Sequence, residues 1–427
     1  CEFVWAFCPK GNGTAMARPR KKTKARMSAK ELEAKGALFL QHFRAGQFDK
    51  ALALCRAMIA QGVKRPVVFA DAGVSAIKLG LWHDAITYAT RAQALDPNHI
   101  GSLDTLSHAH GALRQWPQAA QAGRRALRLR DASVPHEAPC AALPLSPCPA
   151  TADKDVIAFS LFGGSSKYCE TAVLNCIDQP EIYPGWLCRF YVDDTVPDAI
   201  LTRLRDNGAE VIAVPVEMQK WPGPMWRFAA YDAPDVRRVI FRDADSVISQ
   251  REAGAVRDWI ASGRAFHAMR DGGTHTELLL AGLWGVVKGA LPPMTQLIET
   301  YLATPVRNAH FADQFFLRHH VWPFARQDIL QHDSVFGFMD GVAFPEGPHR
   351  DDFHVGYAEG SPFLTFTSAL PDGSDVFWEI HTAQEDPQRT ICRYPAVIRD
   401  GQVQAHVPAR YIARLRSGDW ALRLDKA

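Results

Sequence analysis

From residue 155 onward, short apolar runs alternate with stretches of helical spacing. The runs 156–161, 188–192, 210–214, 238–241 and 265–268 read as buried strands. Segments such as 197–207 and 251–262 place apolar residues on one helical face between them. The longest apolar run, 278–287, falls short of the roughly 18 residues a membrane span needs and reads as a further buried strand. Strands alternating with helices imply a doubly wound, mainly parallel sheet, Rossmann-like in its winding. Such sheets bind ligands beyond the carboxyl ends of their strands, so residues just after each strand are the first to inspect. Past Met339 the helical spacing fades. Phe363–Thr367, 375–381 and 402–407 then read as antiparallel strands of a small β-rich domain over 339–427.

Residues 32–132 follow another period. A step of 34 residues relates Ala51 to Ala85 and Ala85 to Ala119. The same step relates Gly46 to Gly80, and Met58 to Ala92 and Ala126. Small residues at fixed positions let paired helices approach closely, and Asp96-Pro97-Asn98 closes one repeat with a turn. This region resembles the tetratricopeptide repeat, an all-α array in which about three hairpins is near the minimum for a stable stack. Such repeats make surfaces for a protein partner rather than chemistry. Between 133 and 154, Pro135, Pro139, Pro144, Pro147 and Pro149 mark a semi-rigid linker. Ahead of the repeats, 1–31 reads as a disordered tail with a basic run at 18–26.

Composition narrows the class. The 427 residues are 47% hydrophobic and 22% charged, an ordinary globular balance for two or three domains. A net charge of +2 offers no basic field for nucleic acid, and the basic tail supports at most a peripheral membrane contact. Nine cysteines, an odd number without a Cys-x-x-Cys pair, read as reduced thiols of a cytoplasmic protein. The opening Cys-Glu-Phe-Val-Trp lacks the charged start and apolar core of a signal peptide, and Met16 or Met27 reads as the natural start.

The sharpest chemical signal is Arg238-Val-Ile-Phe-Arg-Asp-Ala-Asp-Ser246, an apolar strand running into Asp243 and Asp245. Two carboxylates one residue apart at a strand's carboxyl end offer hard oxygen ligands to Mg²⁺ or Mn²⁺. That ion can bind a nucleotide diphosphate and neutralise its charge as it departs. Asp153-Lys154-Asp155 has the same spacing but precedes a strand and reads as a solvated loop.

The stretch from Met225 to Asp245, with Trp226, Arg227 and the Asp-x-Asp pair, resembles nucleotide-sugar transferases of the GT-A fold. It is most similar to glycosyltransferase family 8, the glycogenin and lipopolysaccharide-galactosyltransferase type. The resemblance spans 155–338 and implies a catalytic GT-A domain in which Arg227 helps to hold the donor. Leu279-Leu-Ala-Gly-Leu-Trp-Gly285 is similar to the segment lining the donor-sugar and acceptor cleft, which nominates Gly282 and Trp284. Phe311-Ala-Asp-Gln-Phe-Phe-Leu317 matches the family's Asp-Gln motif; by resemblance Asp313 binds hydroxyls of the transferred sugar and Gln314 lies near the reacting carbon. His332 follows a short apolar run where the family supplies a third metal ligand beside Asp243 and Asp245. Two features depart from the family: Arg242 stands where it has an aliphatic residue, and Phe315 where an Asp commonly follows Asp-Gln.

Two loops complete the candidates. Phe162-Gly-Gly-Ser-Ser-Lys-Tyr168 leaves the first strand, so Phe162, Gly163, Lys167 and Tyr168 are placed to pack against a nucleotide. The loop 266–275 brings His267, Arg270, Asp271 and His275 toward the same edge, as acceptor contacts or as a salt-bridged loop. The leading expectation is an enzyme that moves a sugar from a nucleotide-diphospho-sugar to a glycan, lipid or protein acceptor. The Asp-Gln match points to retention, whereas inversion needs a carboxylate base such as Asp313 or Asp271. A repeat-based scaffold with an inactive transferase domain, or a nucleotidyltransferase, stands as the alternative.

Overall fold

The computed structural model describes residues 27–135, 144–305, 311–345, 354–385 and 387–426. The expected tail lies outside the described residues as far as position 26, as does 136–143 of the expected linker. Helix begins at once after Ser28, whose hydroxyl and the Glu31 carboxylate cap each other's backbone N–H, so 29–31 belong to the first helix rather than to a tail.

The chain divides into two compact units. The first holds six helices, α1 (Ala29–Arg44), α2 (Phe48–Ala60), α3 (Pro66–Lys78), α4 (Trp82–Leu95), α5 (Ile100–Ala112) and α6 (Trp116–Ser133). These are three helical hairpins in register with the 34-residue step. Ala51, Ala85 and Ala119 are fully buried on the second helix of each pair. The turn inside each pair has one left-handed residue at the same step: Gly46 (φ 71°), Gly80 (φ 70°) and Arg114 (φ 57°). Two repeats also share a side-chain latch, His42 Nδ1 to Gln47 Oε1 at 2.8 Å and His110 Nδ1 to Gln115 Oε1 at 2.6 Å.

Two later segments, Arg270–Leu278 and Asp333–Val342, belong to this helical unit, although the sequence reading put both beyond the linker. Phe336 lies against Gly123, where any Cβ would overlap its ring, and Arg124 Nε donates to the Phe336 carbonyl at 2.6 Å. Ser107 Oγ donates to the Gly273 carbonyl at 2.6 Å. Arg130 makes a buried two-pronged pair with Asp104 at 2.9 and 2.8 Å and reaches Glu277 at 3.2 Å.

The second unit is built on a seven-stranded sheet: β1 (Lys154–Leu161), β2 (Trp186–Val192), β3 (Glu210–Ala213), β4 (Val236–Phe241), β5 (Phe266–Arg270), β6 (Trp284–Val287) and β7 (Ile329–Asp333). Their order is β3-β2-β1-β4-β6-β5-β7. Neighbours from β3 to β4 run parallel, while β6 is antiparallel to β4 and β5. Helices α7 (Ser166–Ile182), α8 (Asp198–Asp206), α9 (Gln250–Ser262), α10 (Met294–Leu302) and α11 (Ala312–Phe316) connect them. The sheet is mainly parallel, as the alternation required. Only the last four residues of the run 278–287 form a strand, because Leu279 and Ala281 give their backbone groups to the Gln314 amide. Asp155 is no loop residue: it sits in β1, paired to Arg237 at 2.8 Å and Arg238 at 3.0 Å.

The expected β-rich domain does not stand apart. Strands β8 (Phe363–Thr367), β9 (Asp375–Thr382), β10 (Thr390–Val397), β11 (Gln402–His406) and β12 (Trp420–Lys426), with the helix Ala409–Ser417, form two small sheets. Their Val376, Trp378, Ile380 and Tyr394 share one hydrophobic core with Ile157, Phe159 and Phe190. A buried acid fixes this union. Glu170 on α7 receives Arg203 at 2.7 and 2.8 Å, the Tyr394 hydroxyl at 2.5 Å and the Tyr411 hydroxyl at 3.0 Å. Removing one partner of such a cluster strands the others without solvent. Glu170→Ala is therefore expected to lose about 3 kcal/mol or more of stability in urea melts. A loss below about 1 kcal/mol would mean that the C-terminal strands are held by apolar contact alone.

Candidate functional site

Strands β1 and β4 end side by side, and the cavity lies beyond their carboxyl ends. It encloses about 360 Å³ and is lined by Ser160, Phe162, Tyr168, Pro224, Arg227, Asp243, Asp245, Ala281, Phe311, Asp313 and Gln314, among others. Strand β1 delivers Ser160 and the loop to Tyr168. Strand β4 runs into the turn with Asp243 and Asp245, and α11 presents Asp313 and Gln314.

Arg227, from a run of 3₁₀ turns over Gly223–Asp232, organises the centre. Its side chain is almost fully buried. Nη1 donates to Asp243 Oδ1 at 2.6 Å and to the Arg242 carbonyl at 2.8 Å, and Nη2 donates to Asp313 Oδ2 at 3.2 Å. Its backbone N–H donates to Ser160 Oγ at 2.9 Å. Asp243 remains half exposed beside this guanidinium. Gly282 closes in from the other side, at a point where a Cβ would overlap Asp243 Oδ2. The close approach expected of Gly282 is thus toward a site carboxylate.

Asp245 faces Lys167, with Nζ to Oδ2 at 3.0 Å. Burial and the neighbouring Asp243 hold the Asp245 carboxyl above its ordinary pKa, against the pull of Lys167. Burial draws the Lys167 ammonium down, but Asp245 outweighs it and keeps its pKa raised. Lys167 also lies 4.8 Å above the Tyr168 ring. Phe162 and Tyr168 are both about two-fifths exposed, 42% and 38%, with Phe162 packed edge-on against Trp226 at 5.5 Å and its outer part open. Gly163 has φ 75°, a left-handed turn that bends the chain away from Phe162, and its N–H donates to Thr195 Oγ1 at 2.6 Å. Gln314 spends its amide on structure, donating to the Leu279 carbonyl at 2.7 Å and accepting from Ala281 N–H at 2.8 Å.

Three nominated residues stand elsewhere. Trp284 on β6 is core, fully buried and stacked on Phe241 at 4.4 Å. Asp271 belongs to the helical unit, where it accepts from Ser334 Oγ at 2.6 Å and its N–H donates to His275 Nδ1 at 3.0 Å. Neither residue is among those lining the cavity. His332 is fully buried on β7, its Nδ1 2.9 Å from His267 Nε2 and its Nε2 3.5 Å from Asp258. It does not join Asp243 and Asp245, because β6 and β5 intervene between β4 and β7. His320 is also buried and stacks on Phe316.

The donor set can therefore be tested for a metal. Among the described residues no third His, Cys, Asp or Glu stands with Asp243 and Asp245. Two carboxylates fit a Mg²⁺- or Mn²⁺-type ion that keeps substrate phosphate oxygens as its other ligands, not one caged by protein alone.

Sequence reading missed Ser160, Phe311 and Gly360. Ser160 was accessible to it, being at the carboxyl end of β1. Gly360 was not: although distant in sequence, its N–H donates to the Asp245 carbonyl at 3.1 Å, and a Cβ there would overlap the Lys167 carbonyl.

No protein-family model matches the chain, and no curated protein does. Solved structures similar to part of it include TPR-domain chains. PcrH in complex with the chaperone binding region of PopD is 22% identical, over 25% of this chain and 80% of that one, with a TM-score of 0.25. The TPR2AB domain of yeast Sti1 in complex with pHSP90 is 16% identical, over 26% and 43%, with a TM-score of 0.25. The Sgt2 TPR domain from Aspergillus fumigatus is 14% identical, over 25% and 70%, with a TM-score of 0.24. The assignment of the repeats rests on their own step and helix pairs.

The buried rings carry a pH signature. Burial holds His267 well below the ordinary imidazole pKa, lowers His332, and brings His320 down to about 4. These rings stay neutral in the folded chain while the unfolded chain takes up protons near pH 6.5, so their contribution to stability is lost as pH falls below about 6.5. Glu252 acts in the opposite sense, since burial pushes its carboxyl up to about 7. His267→Phe, which keeps a ring against Trp259, is expected to flatten the wild-type pH dependence of stability by up to about 1.4 kcal/mol per pH unit between about pH 6.5 and 5. Urea melts across that range check it, and an unchanged slope would show that His267 titrates normally.

Proposed function

We propose that the sheet unit binds a nucleotide-diphospho-sugar and transfers its sugar to an acceptor hydroxyl, and that the repeats offer a surface to a protein partner. One observation carries the first half. Phe162, Tyr168, Arg227, Asp243, Asp245, Asp313 and Gln314, nominated separately along the sequence, line a single cavity beyond the ends of β1 and β4. Exposed aromatic faces suit a nucleobase. Lys167 and Arg227 suit a diphosphate, and Asp313 suits sugar hydroxyls. Asp243 and Asp245 would hold a divalent ion through the same diphosphate, and the ion would neutralise charge on the leaving group. In the transfer the acceptor oxygen bonds to the anomeric carbon as the bond to the diphosphate oxygen breaks. The nucleoside diphosphate leaves with the electron pair, and the hydroxyl proton passes to solvent or a carboxylate.

A second reading has its own support. Asp243 and Asp245 are each engaged by a cation, at 2.6 and 3.0 Å, which suits a repeat-borne interaction protein whose sheet unit binds without turnover. Stabilisation by a panel of nucleotide sugars with and without Mn²⁺, followed by assay of released nucleoside diphosphate, separates the readings. Binding without release favours the scaffold, and release of pyrophosphate from a nucleoside triphosphate offered together with a sugar phosphate would mark a nucleotidyltransferase.

Asp243→Asn and Asp245→Asn should melt close to wild type, because both carboxylates reach solvent and Asp313 still pairs the buried Arg227 guanidinium. Turnover should fall at least about a hundredfold, as when one preorganised electrostatic partner of a transition state is removed. Full activity in either variant, unaffected by EDTA, would remove both carboxylates from the chemistry.

A further inference from the structure

The residue before Asp243 is a fully buried arginine. Arg242 and Glu252 both have 0% side-chain exposure and pair at 2.9 Å, Nη2 to Oε2. Neither is needed to make the strand, since the Arg242 backbone N–H already donates to the Ala158 carbonyl at 3.0 Å. An apolar side chain would fill this place without the several kcal/mol that desolvating each ion of a buried pair costs. What only a guanidinium supplies is a rigid fork that donates in several directions at once.

The fork spans both walls of the cavity. Nη1 donates to the Gly282 carbonyl at 3.2 Å, and Nη2 donates to Ser246 Oγ at 3.3 Å. Ser246 ends the turn that carries Asp243 and Asp245, and Gly282 belongs to the segment packed on the Asp243 carboxylate. The Arg242 carbonyl meanwhile accepts from Arg227. Glu252 anchors the far end: it sits in the first turn of α9, its N–H donates to the Ser249 hydroxyl at 3.4 Å, and it accepts from the Tyr183 hydroxyl at 3.2 Å.

We propose that Arg242 and Glu252 are a positioning pair that sets the separation of the two cavity walls, the Asp243–Ser246 turn and the segment through Gly282. The functional part of this inference rests on the ligand-binding reading of the cavity; the wall-setting part does not. Neither residue touches a ligand. Without the fork, the Gly282 carbonyl and the Ser246 hydroxyl lose their shared anchor, and the walls part by local motion while the sheet stays folded.

The test uses the full chain carrying Arg242→Met with Glu252→Met, since exchanging both charges for apolar groups of similar size commonly keeps stability. Amide hydrogen exchange is followed at 243–248 and 281–284, with β1 and β2 as internal references. At a melting temperature within about 3 °C of wild type, exchange should rise at least tenfold in those two segments and stay unchanged in the reference strands. Arg242→Lys with Glu252 intact should behave like the double variant in the 281–284 segment, because one ammonium cannot reach every partner of the fork. Equal exchange in wild type and the double variant would overturn the proposal and reduce the pair to core packing. Uridine diphosphate with Mn²⁺ serves as the binding probe, and its Kd should rise at least tenfold in the double variant. An unchanged Kd despite faster exchange would overturn the link between pair and ligand. If wild type binds no nucleotide at all, the ligand reading fails, while the exchange result still decides whether the pair sets the walls.

Discussion

One guanidinium holds the candidate site together. Arg227 has almost no solvent and three anionic or carbonyl partners, drawn from the end of β4, the turn after it and α11. A buried cation must be matched, so these elements cannot drift apart without leaving a charge unpaired in low dielectric. The carboxylates follow from that requirement. Asp313 is held where it can meet a ligand, and Asp243 keeps its outer face open.

A second charge system lies directly behind the first. Arg242 points into the core as Arg227 points toward the cavity, and the Arg242 carbonyl connects the two. Lys167 completes the arrangement from the first turn of α7. Three cations therefore serve four carboxylates around one strand end, Arg227 with Asp243 and Asp313, Lys167 with Asp245, and Arg242 with Glu252 behind them. A ligand with phosphate groups would enter a site whose cations are already paired, and it would have to exchange partners rather than fill a bare anion hole.

Much of this was legible in the sequence where local rules apply. Strands of this sheet read as short apolar runs, so β1 to β5 appeared within a few residues of their true limits. The repeat step survives in three alanines because a packed helix crossing tolerates little else there. Where the sequence misled, the deciding contact was distant. Leu278 to Leu283 is as apolar as a strand, yet its backbone pairs with a glutamine side chain, and periodicity cannot separate those cases. His332 came in the right order along the chain, but order says nothing of which strands lie between β4 and β7. Gly360 reads as an ordinary turn, and nothing nearby in sequence hints that Lys167 and Asp245 need it. The C-terminal strands showed their type but not that they share a core with β1.

That shared core has a consequence for how the chain is made. Glu170 finds its last partner 241 positions later, in Tyr411. At roughly 5–20 residues per second, a ribosome exposes α7 for about 10–50 s before that partner emerges. The helical repeats gain little from being synthesised first, since α5 and α6 also wait for 270–278 and 333–342. Both units thus close late, with long-range contacts that form slowly. A nascent chain of this design spends its synthesis with an unpaired acid and apolar faces uncovered, a stretch of time in which shielding counts for more than it does once the last strands emerge.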